Sequence, residues 1–247
     1  MERTDRRILF IARTHGDEEF SRDVFKNLAR RYPRGDYGYD RTVGNPRALK
    51  RNVRYTEADL NRSAPGDPYS EVYEERRAIQ IIELSKKYKF VIDVHGTVAD
   101  GGIVTIIPYP TLSNLVLASM LPVEKNVIWY ARSSLEKGPL VQFTNCPGIE
   151  IECGPKSSEQ TKKDLEEVLS RFLETRANCN LDGLIDNLRG KEFYNVYERL
   201  DRDRSPYRDF VLAKVGDEEF YPFMSNQYPG IACYKMKKIS FEDQFLI

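Results

Sequence analysis

The stretch RILFIARTHGDEEFSRDVFKNLARRY (7–32) sets the reading of the whole chain. Its first six residues, RILFIA (7–12), form an apolar run that stops at a polar turn, the pattern of a short buried strand. Beyond it Phe20, Val24, Phe25, Leu28 and Tyr32 recur near helical spacing. Acids crowd the start of that segment, 18–32, and arginines its end, as a helix dipole favours. The unit is strand, turn, helix, and the turn carries THGDE (14–18).

The same alternation recurs further along. YSEVYEERRAIQIIELSKKY (69–88) is amphipathic at helical period, and KFVIDVHGT (89–97) is an apolar strand with a polar tip. GIVTIIPY (102–109) and NVIWYA (126–131) predict strands, with a helix over TLSNLVLASML (111–121) between them. GIEIECGP (148–155) alternates and ends in Gly-Pro, a strand followed by a turn, and SEQTKKDLEEVLSRFLETRA (158–177) predicts a long helix. Such alternation argues α/β, with a mixed or mainly parallel sheet and helices on both faces. Sheets of this kind place ligands beyond the carboxyl ends of their strands. Two regions break the pattern. Residues 33–68, rich in Arg, Asn, Asp, Gly and Pro, read as loop with at most short elements, and so long a loop in a compact domain tends to be functional. After about residue 185, KEFYNVYERL, FVLAKV, EFYPFM and IACYKMKKI predict a small module of short strands.

Composition narrows the function classes. The 247 residues hold 38 Lys+Arg against 38 Asp+Glu, so no net charge draws the chain to nucleic acid or to an anionic membrane. Arg13 interrupts the N-terminal apolar run before it reaches the length of a signal-peptide core, and no run approaches the roughly 20 residues needed to span a bilayer. These features predict a soluble, cytoplasmic protein. Cys146, Cys153, Cys179 and Cys233 are scattered without CxxC spacing and read as reduced thiols rather than a disulfide framework.

The chain has only two histidines. His15 in THGDE and His95 in DVHGT both end a predicted strand, and both precede a glycine that would let the backbone turn beside a ligand. Glu18 follows His15 by three residues and can converge on the same point. Two imidazoles and one carboxylate are the donor set of a catalytic zinc site with an open position for water. The competing reading is two hydrogen-bonded histidines and a helix N-terminal acid. On GIEIECGP, Glu150 and Glu152 share one face of a strand; two such carboxylates are costly to bury unless paired or functional, and Glu152 is the candidate general base. A solvent-facing edge strand is the alternative. In NPRALKRNVRYTEADLNRSAPG (45–66), Arg47, Lys50 and Arg51 read as a solvated basic loop, whereas Arg62, after an apolar Leu60 and before a Pro-Gly turn, is a candidate anion contact.

THGDE (14–18), NPRALKRNVRYTEADLNR (45–62), IDVHGT (92–97) and IEIECGP (149–155), in this order, give the chain its resemblance to the succinylglutamate desuccinylase/aspartoacylase family of zinc hydrolases. The resemblance covers the first two-thirds of the chain. It implies a zinc-carboxypeptidase-like catalytic domain over 1–184, a mixed sheet flanked by helices, and a β-rich C-terminal module over 185–247 that partly covers the site. It implies removal of an acyl group from an N-acyl amino acid. His15, Glu18 and His95 match the family's ligands for one Zn2+, and Glu152 matches the glutamate that activates water and protonates the leaving amine. Arg54 matches the arginine that polarises the scissile carbonyl, and Asn61 and Arg62 match the pair that contacts a substrate carboxylate. Tyr228, in EFYPFMSNQY, is placed by the same resemblance near the substrate. Asp93 is a candidate to orient the site from behind.

The chain departs from the family where substrate is read. About ten residues before Glu152, where aspartoacylase-like members carry an arginine for a substrate carboxylate, it has Gln142, and a neutral amide does not replace a bidentate cation. Three expectations follow: an N-acyl-amino-acid hydrolase with a small-molecule substrate; a metallocarboxypeptidase for short peptides; or a zinc-dependent binder of amino-acid derivatives without turnover. The residues leave homo-oligomer formation open.

Overall fold

The computed structural model describes residues 8–130, 138–176, 181–201 and 206–242. Cys179, and Arg7, Ala131 and Ala177 at the ends of three expected elements, lie outside them. The elements run β1 (Ile8–Ala12), α1 (Ser21–Arg31), α2 (Arg34–Tyr37), β2 (Tyr39–Val43), α3 (Pro46–Arg51), α4 (Tyr73–Ser85), β3 (Phe90–Gly96), β4 (Gly102–Ile107), α5 (Leu112–Met120), β5 (Lys125–Ile128), β6 (Gly148–Gly154), α6 (Glu159–Thr175), α7 (Leu181–Arg189), β7 (Glu192–Asp201), β8 (Ala213–Val215), β9 (Glu218–Phe223) and β10 (Ile231–Ile239). Single 3-10 turns, Leu60–Arg62 and Leu140–Phe143, interrupt the two long connections.

The strands form one ten-stranded mixed sheet in the order β2-β1-β3-β6-β4-β5-β7-β10-β9-β8. β2, β1, β3 and β6 run parallel, so the carboxyl ends of β1, β3 and β6 lie side by side. β4 reverses direction against β6. The α/β expectation is met.

The faces of the sheet differ. Ile8, Phe10, Ile92, Val94, Ile149 and Ile151 belong to one continuous apolar cluster under α1, α5 and α6. These helices contribute the residues that recur at helical spacing, Val24, Phe25 and Leu28 from α1, Leu165, Leu169 and Phe172 from α6. Each such side chain stabilises the fold by roughly 1.5–3 kcal/mol relative to exposure. Ser158 caps α6, accepting from the N–H groups of Gln160 and Thr161, and Thr111 caps α5 in the same way. On the opposite face the apolar residues fall into two groups. One, with Leu9, Ile11 and Val91, lies under α4; the other, with Val104, Ile106 and Val127, lies under the C-terminal strands through Phe223, Met224 and Met236. Between them the face is polar.

Two expectations need adjusting. The 33–68 segment contains an edge strand, β2, besides short helices. β2 is half-exposed after Tyr39 and carries Asp40 and Arg41, so no apolar period marks it. The segment is pinned from outside its own sequence: Glu74 of α4 is fully buried and accepts from Thr56 N–H and Oγ1, Ala58 N–H and Asn45 Nδ2. The C-terminal strands, in turn, continue the central sheet, because β7 pairs in parallel with β5. α7 spans the expected boundary at 184/185.

Candidate metal centre and active-site pocket

β1 and β3 deliver the two histidines to one point. His15 follows β1 and His95 lies on β3; they are 4% and 2% exposed, and Glu18, in the turn between β1 and α1, is 1% exposed. His15 Nδ1 is 2.7 Å from Glu18 Oε1, and His95 Nδ1 is 3.8 Å from Glu18 Oε2. One donor atom from each of the three residues lies within 4.8 Å of the others. α1 begins at Ser21, three residues later than the sequence pattern predicts, which leaves Glu18 in a turn rather than in a first helical turn.

The glycines after the histidines serve a different purpose from the sharp turn expected of them. Neither takes a left-handed φ. A Cβ on Gly16 would sit 2.2 Å from the carbonyl carbon of Ala48, and one on Gly96 would sit 2.5 Å from the Phe20 ring. They are there for close approach. Gly16 lets the His15 turn lie against the 45–62 loop, where its N–H donates to Arg54 O at 3.2 Å.

Each imidazole turns its other nitrogen to a second carboxylate. His15 Nε2 pairs with Asp59 Oδ1 at 3.1 Å. His95 Nε2 lies 3.0 Å from Asp93 Oδ2, off the line of a good hydrogen bond. Asp93 is fixed by the Thr14 hydroxyl, which donates to it at 2.9 Å. Carboxylates behind histidines orient metal ligands and raise their basicity. Burial opposes charge on both imidazoles, yet the surrounding carboxylates outweigh it: Glu18 and Asp59 raise the pKa of His15, and Asp93, Glu150 and Glu18 raise that of His95. Asp59 is itself held well below the usual carboxylate range; burial would raise it, but His15, Arg54 and Arg62 prevail. The site therefore has more negative charge than two histidines neutralise. Glu18 Oε2 is buried with no hydrogen-bond partner. An orphaned buried oxygen beside two Nδ1 atoms, in a cluster of anionic groups, fits a divalent cation, and a donor set of two imidazoles and one carboxylate suits zinc.

β6 brings the third component. In the β3–β6 register His95 stands beside Glu152 and Asp93 beside Glu150. The alternative of a solvent-facing edge strand is overturned: Glu150 and Glu152 are 4% and 6% exposed, at the centre of the sheet. Burial pushes the Glu152 carboxyl up to about 8; His95 opposes the shift, and Glu18 and Glu150 add to it.

A cavity of about 250 Å³ opens over these groups, with Arg54, Asn61, Arg62 and Tyr228 on its walls. Arg54 Nη2 donates to Asp59 Oδ2 at 3.1 Å, and its guanidinium lies 5.6 Å from the centre of the Tyr228 ring. Asn61 is more constrained than its motif implies: Nδ2 donates to Glu150 Oε1 at 2.7 Å, and Oδ1 accepts from Leu140 N–H at 2.8 Å. Its remaining amide proton is what it has for a ligand. The exposed Arg62 donates to Asn61 O at 2.7 Å through one nitrogen. Gln142, on the Leu140–Phe143 turn, does not line the cavity.

Sequence reasoning missed Asp59, which touches both His15 and Arg54, although it stands inside the DLNR segment. It also missed Trp129 and Tyr234 on the cavity wall. Trp129 is the only tryptophan of the chain and ends an apolar strand, which was the one available signal.

Residues 4–173 match the family model described as the succinylglutamate desuccinylase/aspartoacylase catalytic domain. The chain belongs to this family of hydrolases. A probable aspartoacylase of Prochlorococcus marinus (strain MIT 9312) is 30% identical over 282 residues, covering 96% of this chain and 92% of the relative. A second, from strain MIT 9215, is 30% identical over 165 residues, covering 61% of this chain; in that match the chain spans only 54% of the relative's length. The fold is that of murine aminoacylase 3, with a TM-score of 0.72 at 17% identity and 97% of each chain covered. Among the described residues no helix is long and apolar enough to cross a membrane.

Proposed function

We propose that this protein is a zinc-dependent amidohydrolase that removes the acyl group from an N-acyl amino acid. The observation that carries the reading is the register of β3 against β6. It sets the Glu152 carboxylate beside His95, inside the cavity that Arg54 also lines.

His15, Glu18 and His95 hold the metal, one ion per chain. When bound, zinc supplies a Lewis acid that polarises a carbonyl and acidifies water. Glu152 accepts the proton of the attacking water and returns it to the leaving amine nitrogen; a carboxyl with a pKa raised towards neutrality suits both transfers. Arg54, kept protonated and aimed by Asp59, stabilises the charge that develops on the carbonyl oxygen. Arg62, with the free amide proton of Asn61, binds the carboxylate of the amino-acid portion. Tyr228, packed under the Arg54 guanidinium, closes the cavity over the substrate. The cavity volume fits a small molecule rather than a folded polypeptide.

The test is a deacylation screen of the zinc-loaded protein. N-acetyl, N-formyl and N-succinyl derivatives of acidic, basic and neutral amino acids are assayed for free amine, beside unmodified dipeptides. Release from an N-acyl class, faster than from any dipeptide, supports the reading. Hydrolysis confined to dipeptides would replace it with a carboxypeptidase. A fully metallated protein that binds these compounds and turns none over would replace it with a binding role.

A further inference from the structure

The polar groups occupy one side of the cavity. The other side is Ile106, Trp129, Tyr130, Met224 and Tyr234. We infer that this wall selects the side chain of the amino acid, so that the enzyme prefers N-acyl amino acids with a large apolar or aromatic side chain over acidic ones. The inference rests on the proposed hydrolysis of N-acyl amino acids and adds the substrate class.

The wall is built in register with the catalytic strand. β4 pairs with β6 so that Ile106 stands beside Glu150, and Ile106 is 2% exposed. The floor therefore changes from carboxylates to hydrocarbon across a single strand boundary. Trp129 continues from β5, and its backbone N–H donates to Ile107 O at 3.2 Å. Its ring is held by two others: the Tyr234 ring centre lies 4.4 Å away at 57°, and the Phe223 ring 5.9 Å away at 74°. A half-buried indole fixed in this way is a ready platform for an apolar or aromatic group, and little ordering remains to be done on binding.

Charge argues the same way. Among the described residues lining the cavity the arginines are Arg54 and Arg62. Arg54 is engaged by Asp59 and aimed at the reacting carbonyl. Arg62 remains for the carboxylate that every N-acyl amino acid carries, and it lies close enough to Tyr228 and Tyr234 to act electrostatically on both hydroxyls. A substrate gripped there has its side chain beside the aromatic wall. A second carboxylate on that side chain would lose its water without gaining a cation, and it would face the Glu150 carboxylate on the floor. Space is sufficient for a ring: Trp129, Tyr130 and Tyr234 also line an outer hollow of about 590 Å³, where the cation among the described residues, Arg199, is engaged by Asp201.

Because Trp129 is the only tryptophan, the intrinsic fluorescence of the protein reports on this wall. Zinc-loaded Glu152→Gln protein, which should bind without turnover, is titrated with N-acetyl-L-phenylalanine, N-acetyl-L-lysine and N-acetyl-L-aspartate. The phenylalanine derivative should bind at least ~10-fold tighter than either of the others, with a fluorescence change at saturation. Equal or tighter binding of the aspartate or lysine compound, or no fluorescence response to any of them, overturns the inference. In the catalytically intact protein, Trp129→Ala should cut the phenylalanine-over-aspartate ratio of kcat/KM roughly tenfold, mainly through KM, and Trp129→Phe should restore most of it. An unchanged ratio in folded Trp129→Ala also overturns it. Failure to hydrolyse any N-acyl amino acid sinks the proposed function and leaves the binding titration to decide the wall. Hydrolysis that favours aspartate sinks the wall alone.

Discussion

Ile92, Val94, Ile149 and Ile151 face one side of the sheet; Asp93, His95, Glu150 and Glu152, their neighbours on the same two strands, face the other. All eight are buried. On the first side the burial needs no further explanation, since hydrocarbon is removed from water under α1, α5 and α6. On the second side, four ionisable groups are withdrawn from water in a row, which costs several kcal/mol unless each finds a partner. Hydrogen-bond partners are supplied by Thr14 to Asp93 and Asn61 to Glu150, and the pairing is left incomplete at Glu18 Oε2 and His95 Nε2. The same two strands thus carry the apolar core on one face and the candidate site on the other. The incomplete pairing on the second face falls at the candidate metal site of His15, Glu18 and His95.

The comparison breaks most sharply at Glu152. Glu152→Gln should lower kcat by ~10²–10⁴-fold while the metal stays bound, because the volume is kept and only the proton carrier is lost. Stability should move the opposite way and with pH. In the metal-free protein Glu152 titrates near 8 when folded, against an ordinary value of 4.5. Between those values the folded state holds a proton that the unfolded state has released, so wild-type stability falls as pH rises from about 4.5 to about 8. Urea unfolding across that range should show wild type losing ground to Glu152→Gln. A constant difference would mean that the carboxyl is not perturbed.

A smaller effect separates the ligands from what orients them. Asp59→Asn keeps the shape but removes the anion behind His15 and Arg54. It should weaken metal affinity by ~10–100-fold, read by competition with a chelator, and so lower the unfolding free energy of the zinc-loaded protein by roughly 1.4–2.7 kcal/mol at the same excess of zinc. The smallest effect belongs to the apolar face. Ile151→Val should cost only ~0.5–1.5 kcal/mol of unfolding free energy and leave kcat and KM as they were, although residue 151 adjoins both Glu150 and Glu152. A fall in kcat there would show that the two faces are not independent.

Much of this division is already written in the sequence. IDVH and IEIE alternate strictly, and the alternation says that one face of each strand is polar, although it does not say whether that face is wet. What identified it as a site was the pairing of both strands with THGDE, through the shared order of motifs. The α/β pattern was legible because β1, β3 and β6 are apolar runs between amphipathic helices. β2 was not, because an edge strand may carry Asp40 and Arg41 without penalty. Asp59 was passed over because its partners are 44 residues upstream and five residues upstream, and only the fold brings both to one carboxylate. The same holds for Glu74, whose place on an amphipathic helix gives no hint that it ties down a loop 16 to 29 residues before it. The Trp129 wall joins β4 and β5 to β9 and β10, two pairs far apart in the chain that β7 links in the sheet.

The central claim is that the gap in pairing on the polar face belongs to a metal ion held by His15, Glu18 and His95. Metal analysis of the purified protein beside its His95→Ala variant tests it most directly. About one zinc ion per chain in the wild type, and none retained by a folded variant after dialysis, is the predicted result. A wild-type protein that stays metal-free in excess zinc, or a variant that holds as much as the wild type, would contradict it.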